Sequence, residues 1–163
     1  MNIASSISAK EADLAARWLT TFEAALGAGD ADALGRHLAD DCHWRDLLAF
    51  SWNITPHQSR QPIIDGLLKA QPDVRARNFK LAEDRTPPRR VTRIGVESIE
   101  AIFTFETEVG RGYGFLRLLA DAPDTAWALM TSLDEFKGHE EPIDDRRPSG
   151  SETTSVSTGF FPA

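Results

Sequence analysis

The chain has 163 residues, a length that suits one domain with a substantial hydrophobic core. Its 25 acidic and 18 basic side chains give a net charge of −7, which argues against a general nucleic-acid binder because phosphate contacts need a basic surface. One cysteine excludes an intrachain disulfide, the start of the chain does not resemble a signal peptide, and no apolar run could span a membrane, so we expect a cytoplasmic globular protein.

Helical periodicity dominates the first part of the chain. Ser8, with Glu11 three residues later, forms a capping-box signature that predicts a helix from this point to about Gly27. We expect residues 1–8 to be a disordered start. Asp30 is placed to cap a second, shorter helix. The apolar stripe of the first helix consists of Ala15, Trp18, Leu19, Phe22, Ala25 and Leu26.

The stretch 40–50 alternates, which is typical of a strand. One face then carries a single charged group, Asp46. A carboxylate in such a place must find a partner, take up a proton or serve a pocket, so Asp46 is a candidate general base. The alternatives are an ion pair with Arg45 or Arg60, or a cap for the following loop. The other members of this face are Cys42, Trp44, Leu48 and Phe50.

The rest of the domain is predicted to be one helix followed by β structure. Residues 51–60 are expected to be irregular, with Ser59 capping a third helix whose inner side carries Ile63, Ile64, Leu67 and Leu68. A turn is predicted at Gly110–Gly112. From Gly138 onward, charge, proline and serine predict an extended or disordered tail over 138–163. The expected strands are 79–83, 91–95, 98–109, 113–119 and 127–136.

This order predicts an α+β domain over residues 9–137, in which a curved, mostly antiparallel sheet wraps around the long N-terminal helix. Such a cone encloses an internal pocket, and aromatic side chains in it could hold a flat, hydrophobic organic molecule. Simple core packing is the alternative for all of them. The predicted pocket residues are Phe22, Trp44, Leu48, Trp52, Phe103, Phe105, Tyr113 and Trp127.

Residues 10–136 resemble the nuclear transport factor two-like superfamily, also described as SnoaL-like, which includes ketosteroid isomerase and limonene epoxide hydrolase. The resemblance rests on Ala-Gly-Asp at 28–30, Leu-Ala-Asp-Asp at 38–41 and Trp-Arg-Asp at 44–46. It implies a cone fold, a homodimer and, by similarity to the isomerase, a general base at Asp46. The ketone-polarising donors of that enzyme would fall on Phe22 and near Phe115 or Leu116, none of which can donate, so a true ketosteroid isomerase is not expected.

The epoxide hydrolase holds a water molecule with an Asp-Arg-Asp set. By this resemblance, Asp134 could pair with Asp46 across the cone, with Arg117 between them. A solvent-facing acid at the end of a strand is the alternative for Asp134. The four histidines are far apart in sequence, so we predict no metal site.

A closer resemblance is to the region that precedes the flavin domain of flavin-containing monooxygenase-like proteins. Similar runs lie at 44–50, 85–91, 138–142 and 147–150. No Gly-x-Gly-x-x-Gly run is present, so we expect no cofactor in this chain and FAD only through a possible flavoenzyme partner. The arginines near Pro87 could dock such a partner or pair with nearby acids.

Three functions are therefore compatible with the sequence. The first is a small-molecule-binding or accessory domain, which the missing donors favour. The second is a cofactor-independent isomerase, dehydratase, cyclase or epoxide hydrolase that uses Asp46. The third is a purely structural dimer partner.

Overall fold

The chain folds into three helices against a seven-stranded sheet, over residues 3–141 that the computed structural model describes. This is the expected α+β class. The helices are α1 (Ile3–Ala28), α2 (Ala31–Arg36) and α3 (Arg60–Val74). The strands are β1 (Leu38–Leu47), β2 (Ile54–Gln58), β3 (Arg77–Leu81), β4 (Arg89–Arg93), β5 (Val96–Glu106), β6 (Gly110–Leu119) and β7 (Ala126–Phe136).

The sheet is mixed, with strand order β2-β1-β7-β6-β5-β3 and with β4 paired to β5. Only β1 and β7 run parallel among the described strand pairs, and the other pairs are antiparallel. The register shifts between Leu38 and His43 on β1, and between Arg117 and Leu118 on β6. Such shifts increase local twist and bend a sheet, which suits one that curves around a helix.

Helix α1 supplies the inner face with apolar side chains at helical spacing, as predicted. Trp18 stacks on Phe22 with ring centroids 4.7 Å apart, and Phe22 meets Phe79 of β3 edge-on at 5.6 Å. The indole N–H of Trp18 donates to the carbonyl of His37, so the ring is held both by this hydrogen bond and by its stacking on Phe22. The buried members of the stripe are Ala15, Trp18, Leu19, Phe22, Ala25 and Leu26.

Two phenylalanines of β5 occupy the inner side of the sheet. Phe103 and Phe105 are fully buried, and they lie over Gly114 and Gly112 of the neighbouring strand β6. A Cβ atom on Gly112 would lie 2.7 Å from the Phe105 ring, and one on Gly114 would collide with Phe103. The two glycines therefore make room for the rings, and aromatic side chains occupy this part of the interior.

Several expected boundaries were wrong, and β3 and β4 each begin and end two residues earlier than predicted. Helix α1 begins at Ile3, so position 8 lies inside the helix and not at its start. Residues 54–58 form β2 although irregular structure was expected, and Pro56 is tolerated there because β2 is an edge strand. The β5–β6 turn precedes Gly110, because Thr107 bonds back to Gly110 through its backbone N–H and its hydroxyl.

The predicted tail falls mostly on residues 142–163, which lie outside the described residues, as do residues 1–2. At the described end of the chain, the Lys137 N–H donates to the carbonyl of Val109 and fixes the end of β7 beside the β5–β6 turn. No helix in the described part of the chain is long and apolar enough to cross a membrane.

Candidate functional site

Asp46 lies on the inner face of β1, and its exposed fraction is 0%. Cys42 and Trp44 share this buried face, whereas His43 and Arg45 point outward, as the alternation predicted. The strand ends at Leu47, so the predicted continuation of the alternation through Leu48 is wrong. The chain turns at Leu48, which has a φ of 66° and is 44% exposed.

The Asp46 carboxylate holds the turn that follows β1. Its Oδ1 accepts hydrogen bonds from the backbone N–H groups of Ala49 at 3.3 Å and Phe50 at 3.1 Å. Its Oδ2 accepts from the N–H groups of Phe50 at 3.1 Å and Ser51 at 2.7 Å, and from the Ser51 hydroxyl at 3.0 Å. Three consecutive backbone N–H groups thus converge on one carboxylate, which orders the turn from Leu48 to Ser51.

A second strand completes the environment of Asp46. The Thr131 hydroxyl of β7 donates to Oδ1 at 2.8 Å and accepts from the indole Nε1 of Trp44 at 3.0 Å. All three side chains are buried. The result is a hydrogen-bonded chain from Trp44 through Thr131 to Asp46, in which each buried polar group has a partner.

This geometry decides which chemistry is accessible to Asp46. A carboxylate offers about four lone-pair sites, and three hydrogen bonds reach each oxygen here. No ion pair to Asp46 forms among the described residues, and Arg60 pairs with Asp40 at 2.9 Å. Of the roles considered from sequence, the arrangement matches a cap for the following loop, and it directs no free lone pair toward a ligand.

A cavity of about 180 Å³ lies where the C-terminal ends of β1 and α3 meet the β5–β6 turn. We name it the end cavity. Trp52 is 65% exposed, and its ring stacks on Phe136 with centroids 6.0 Å apart. The turn held by Asp46 forms one side of this cavity. Its lining residues are Leu48, Ala49, Phe50, Ser51, Trp52, Asp73, Val74, Thr107, Glu108 and Val109.

The structure distributes the predicted pocket residues over four places. Leu48 and Trp52 line the end cavity, and Trp127 is partly buried at the start of β7. Tyr113 lies on the outer face of β6, where its hydroxyl donates to Asp84 at 2.9 Å and Arg85 covers its ring at 4.6 Å. The remaining four, Phe22, Trp44, Phe103 and Phe105, are buried core residues.

Asp134 does not lie with Asp46. Asp46 is paired with Thr131 across β1 and β7, whereas Asp134 is exposed and lines an outer cavity of about 290 Å³ beside Tyr113. Hydrogen bonding to Asp84 raises the pKa of Tyr113, with burial and the charges of Asp84 and Asp134 adding to the shift. Arg117 lies on the outer face as well, so the structure does not assemble the Asp46, Arg117 and Asp134 set.

Arg117 belongs to a cluster around Glu100, whose exposed fraction is 5%. Glu100 accepts from Arg117 at 2.9 Å and from Arg93 at 3.3 Å, and Arg89 lies 3.5 Å away. Burial raises the pKa of Glu100, but hydrogen bonds from Arg93 and Arg117 outweigh it, and the net shift is downward. Three arginines thus compensate one buried carboxylate. Of the arginines near Pro87, Arg89 and Arg93 therefore pair with an acid of the same chain, which was one of the two expected roles.

Two other side chains with reactive groups, His57 and Cys42, are packed against the core or buried in it. His57 stacks on Trp44 with centroids 4.8 Å apart. Burial raises the pKa of the Cys42 thiol to about 11, which fits a small hydrophobic role better than a nucleophilic one. The described residues contain no group of three or more His, Cys, Asp or Glu that could hold a metal ion.

A larger groove, of about 910 Å³, lies between the C-terminal ends of α1 and α3. Its lining is mixed, with the apolar Leu26 and Leu68, the charged Glu23, Arg75 and Arg77, and several small residues. None of the predicted site residues lines this groove, and no aromatic ring does. The end cavity is therefore the better candidate site.

Sequence reasoning missed Thr131, Ser51 and Phe136. Thr131 carried a usable signal, because it follows Leu129 by two residues on β7 and is therefore a polar residue at an inward position. A buried acid on one strand and an inward hydroxyl on another are natural partners. The side chains that α3 and the β5–β6 turn contribute to the end cavity gave no such signal.

No family model matches this chain, and no curated protein matches it. Solved structures do. A protein of unknown function with a cystatin-like fold from Nostoc punctiforme superposes with a TM-score of 0.50 at 10% identity, over 72% of this chain and 86% of the other. A protein designated Rd1NTF2_05 superposes with a TM-score of 0.50 at 10% identity, over 74% of this chain and 97% of the other. An epoxide hydrolase of Mycobacterium tuberculosis described as LEH-like superposes with a TM-score of 0.44 at 16% identity, over 76% of this chain and 81% of the other.

These similarities show an NTF2-like or cystatin-like fold and nothing finer, because sequence identity is too low to transfer an activity. They give no support to the resemblance to flavin monooxygenases. That resemblance, the homodimer and the bound ligand stay predictions.

Proposed function

We propose that this chain is a small-molecule-binding module that holds a flat, mostly apolar molecule in the end cavity. The observation that carries the proposal is the exposed Trp52 ring, which stacks on Phe136 beside a concave surface. Leu48, Val109 and Phe136 are also strongly exposed for large apolar side chains. Exposed apolar residues that gather around a cavity are characteristic of binding sites, whereas single ones are ordinary.

Asp46 supports this proposal by positioning the binding surface. Its carboxylate fixes the backbone of Ala49, Phe50 and Ser51, and this turn carries Leu48 at one end and Trp52 at the other. The ligand surface is therefore ordered before binding, which reduces the entropic cost of association.

The volume limits the size of the ligand. Pockets for drug-sized ligands measure roughly 300–1,000 Å³, whereas the end cavity has about 180 Å³. One or two fused rings would fit, with the rest of a larger molecule lying outside on Trp52. The acid/base alternative is less well supported, because the oxygens of Asp46 are occupied and Phe22 and Leu116 offer no donor to an oxyanion.

The test is an NMR titration of the full chain with naphthalene-1-methanol, a neutral two-ring probe. We expect the indole N–H resonance of Trp52 to shift with saturation at millimolar or lower probe. W52A should weaken binding at least ten-fold, while W127A, which removes a tryptophan that does not line the end cavity, should bind as the wild type does.

Two results would overturn the proposal. The first is a saturating probe that leaves the Trp52 resonance unmoved, or that binds W52A with unchanged affinity. The second is a Trp52 resonance that depends on protein concentration in the absence of probe. That result would mean that a second copy of the chain, and not a small molecule, occupies the cavity.

A further inference from the structure

The charges that line the end cavity are of one sign. Asp73 and Glu108 contribute carboxylates, and no lysine, arginine or histidine is among the lining residues. Glu108 is partly neutralised, because Arg75 and Arg77 each lie 3.7 Å from its Oε2. Asp73 forms no ion pair among the described residues, so it leaves one uncompensated negative charge at the rim.

Helix α3 adds to this negative potential. It ends at Val74, which lines the end cavity, and its last turn has no basic residue. The C-terminal end of a helix carries a partial negative charge and favours cations within the last turn. Arg75 and Arg77 follow the helix and line the groove between α1 and α3, and their guanidinium groups reach the cavity only through Glu108. Asp73 is therefore the lining carboxylate that has no cation paired with it among the described residues.

The third contribution comes from Trp52. An indole ring presents a negative face, which attracts a cation placed above an exposed ring. Its exposed fraction of 65% leaves the ring available to a ligand. Lys137, which follows Phe136, is held by the Thr107 carbonyl at 2.7 Å and by Glu106 at 3.0 Å.

From these three features we infer that the end cavity selects an aromatic molecule that carries a positive charge, such as an aryl-alkyl amine. The apolar walls take the ring system, and the amine lies toward Asp73 and the end of α3. This inference rests on the proposed function, because it assigns a ligand class to the same cavity.

The test compares three probes with one ring system: naphthalene-1-methylamine, naphthalene-1-methanol and 1-naphthoate. Dissociation constants are measured on the full chain by NMR at pH 7 and low salt. We expect the amine to bind about five-fold more tightly than the alcohol and the carboxylate to bind most weakly. Salt at 0.5 M should reduce the differences between the three dissociation constants, because it screens exposed charges.

The variant D73N should narrow the gap between amine and alcohol to within about two-fold. D65N is the matched control, since Asp65 lies on the same helix and does not line the cavity. Equal binding of all three probes would overturn the inference and leave the proposed function intact. Tighter binding of the carboxylate, or a full preference retained in D73N, would also overturn it, whereas no binding of any probe would sink both.

Discussion

Thr131 donates a 2.8 Å hydrogen bond to Asp46 across the parallel pair of β1 and β7. The same hydroxyl accepts from the indole of Trp44, so one small side chain satisfies two buried groups at once. The pair therefore connects the middle of the sheet to the turn beside the end cavity.

Removing the hydroxyl of Thr131 should destabilise the protein more than its size suggests. Thr131→Val keeps the shape but leaves the Trp44 indole without an acceptor and removes one donor from Asp46. We expect the free energy of unfolding to fall by about 2–4 kcal/mol, as measured by denaturant titration. Thr131→Ser keeps the hydroxyl and should lose clearly less; equal losses in the two variants would contradict this account.

Asp46→Asn separates a positioning role from a catalytic one. The new amide would point an N–H group at backbone donors of the turn, so we expect a loss of about 2–3 kcal/mol in unfolding free energy and weaker binding of the naphthalene probes. Asp134→Asn, at an exposed acid, should change neither. Asp46 would instead be a general base if the wild type turned over a ketone or epoxide and D46N lost about 10²–10⁴ of kcat with stability intact.

Glu100→Gln should show a pH-dependent cost. The pKa of Glu100 is lowered from its ordinary value of 4.5, so its ion pairs stabilise the fold above that pH and lose this effect as the pH falls through the lowered value. At pH 7 the variant should lose about 1–2 kcal/mol, because three arginines would face a neutral amide.

The loss in Glu100→Gln should shrink below pH 4.5. Glu108→Gln is the control, because Glu108 is exposed and its two arginine contacts are 3.7 Å long. Denaturation curves at several pH values give both quantities. A penalty that stays constant down to pH 2.5 would argue against the assigned pairing.

Cys42 should resist alkylation in the native protein. Burial raises its pKa from 9.0 to about 11, so at pH 8 the thiolate fraction falls about 100-fold before any steric protection. Iodoacetamide labelling followed by mass spectrometry should therefore be at least that much slower in buffer than in guanidinium chloride. Since the chain has one cysteine, the signal needs no further assignment. Rapid labelling of the folded chain would contradict the burial of the thiol.

The sequence was sufficient to predict the inner face of β1, because Cys42, Trp44 and Asp46 alternate with exposed residues. The α+β class and the cap at Asp30 were also correct, and the Asp30 side chain accepts from the Ala33 N–H at 2.8 Å. These features depend on local periodicity and on contacts within one turn of helix, which a sequence records directly.

The role of Asp46 was harder to predict, because its partners come from a turn and from β7. Periodicity gave no reason for the strand to end at Leu47, since Leu48 and Phe50 continue the pattern. The turn forms because Asp46 collects the N–H groups of Ala49 to Ser51, a contact that only the folded backbone reveals. The edge strand β2 was missed for a related reason: Pro56 is unfavourable in a strand unless the strand lies at an edge.

The parallel pairing of β1 with β7 also has a consequence for biosynthesis. Asp46 and Thr131 are 85 residues apart, and β7 lies between β1 and β6 in the sheet. During translation, β1 emerges long before its neighbour exists, and the sheet cannot close until the last strand leaves the ribosome. Closing such a distant contact is slow compared with forming a hairpin. One edge of β1 therefore has no partner until β7 has been synthesised.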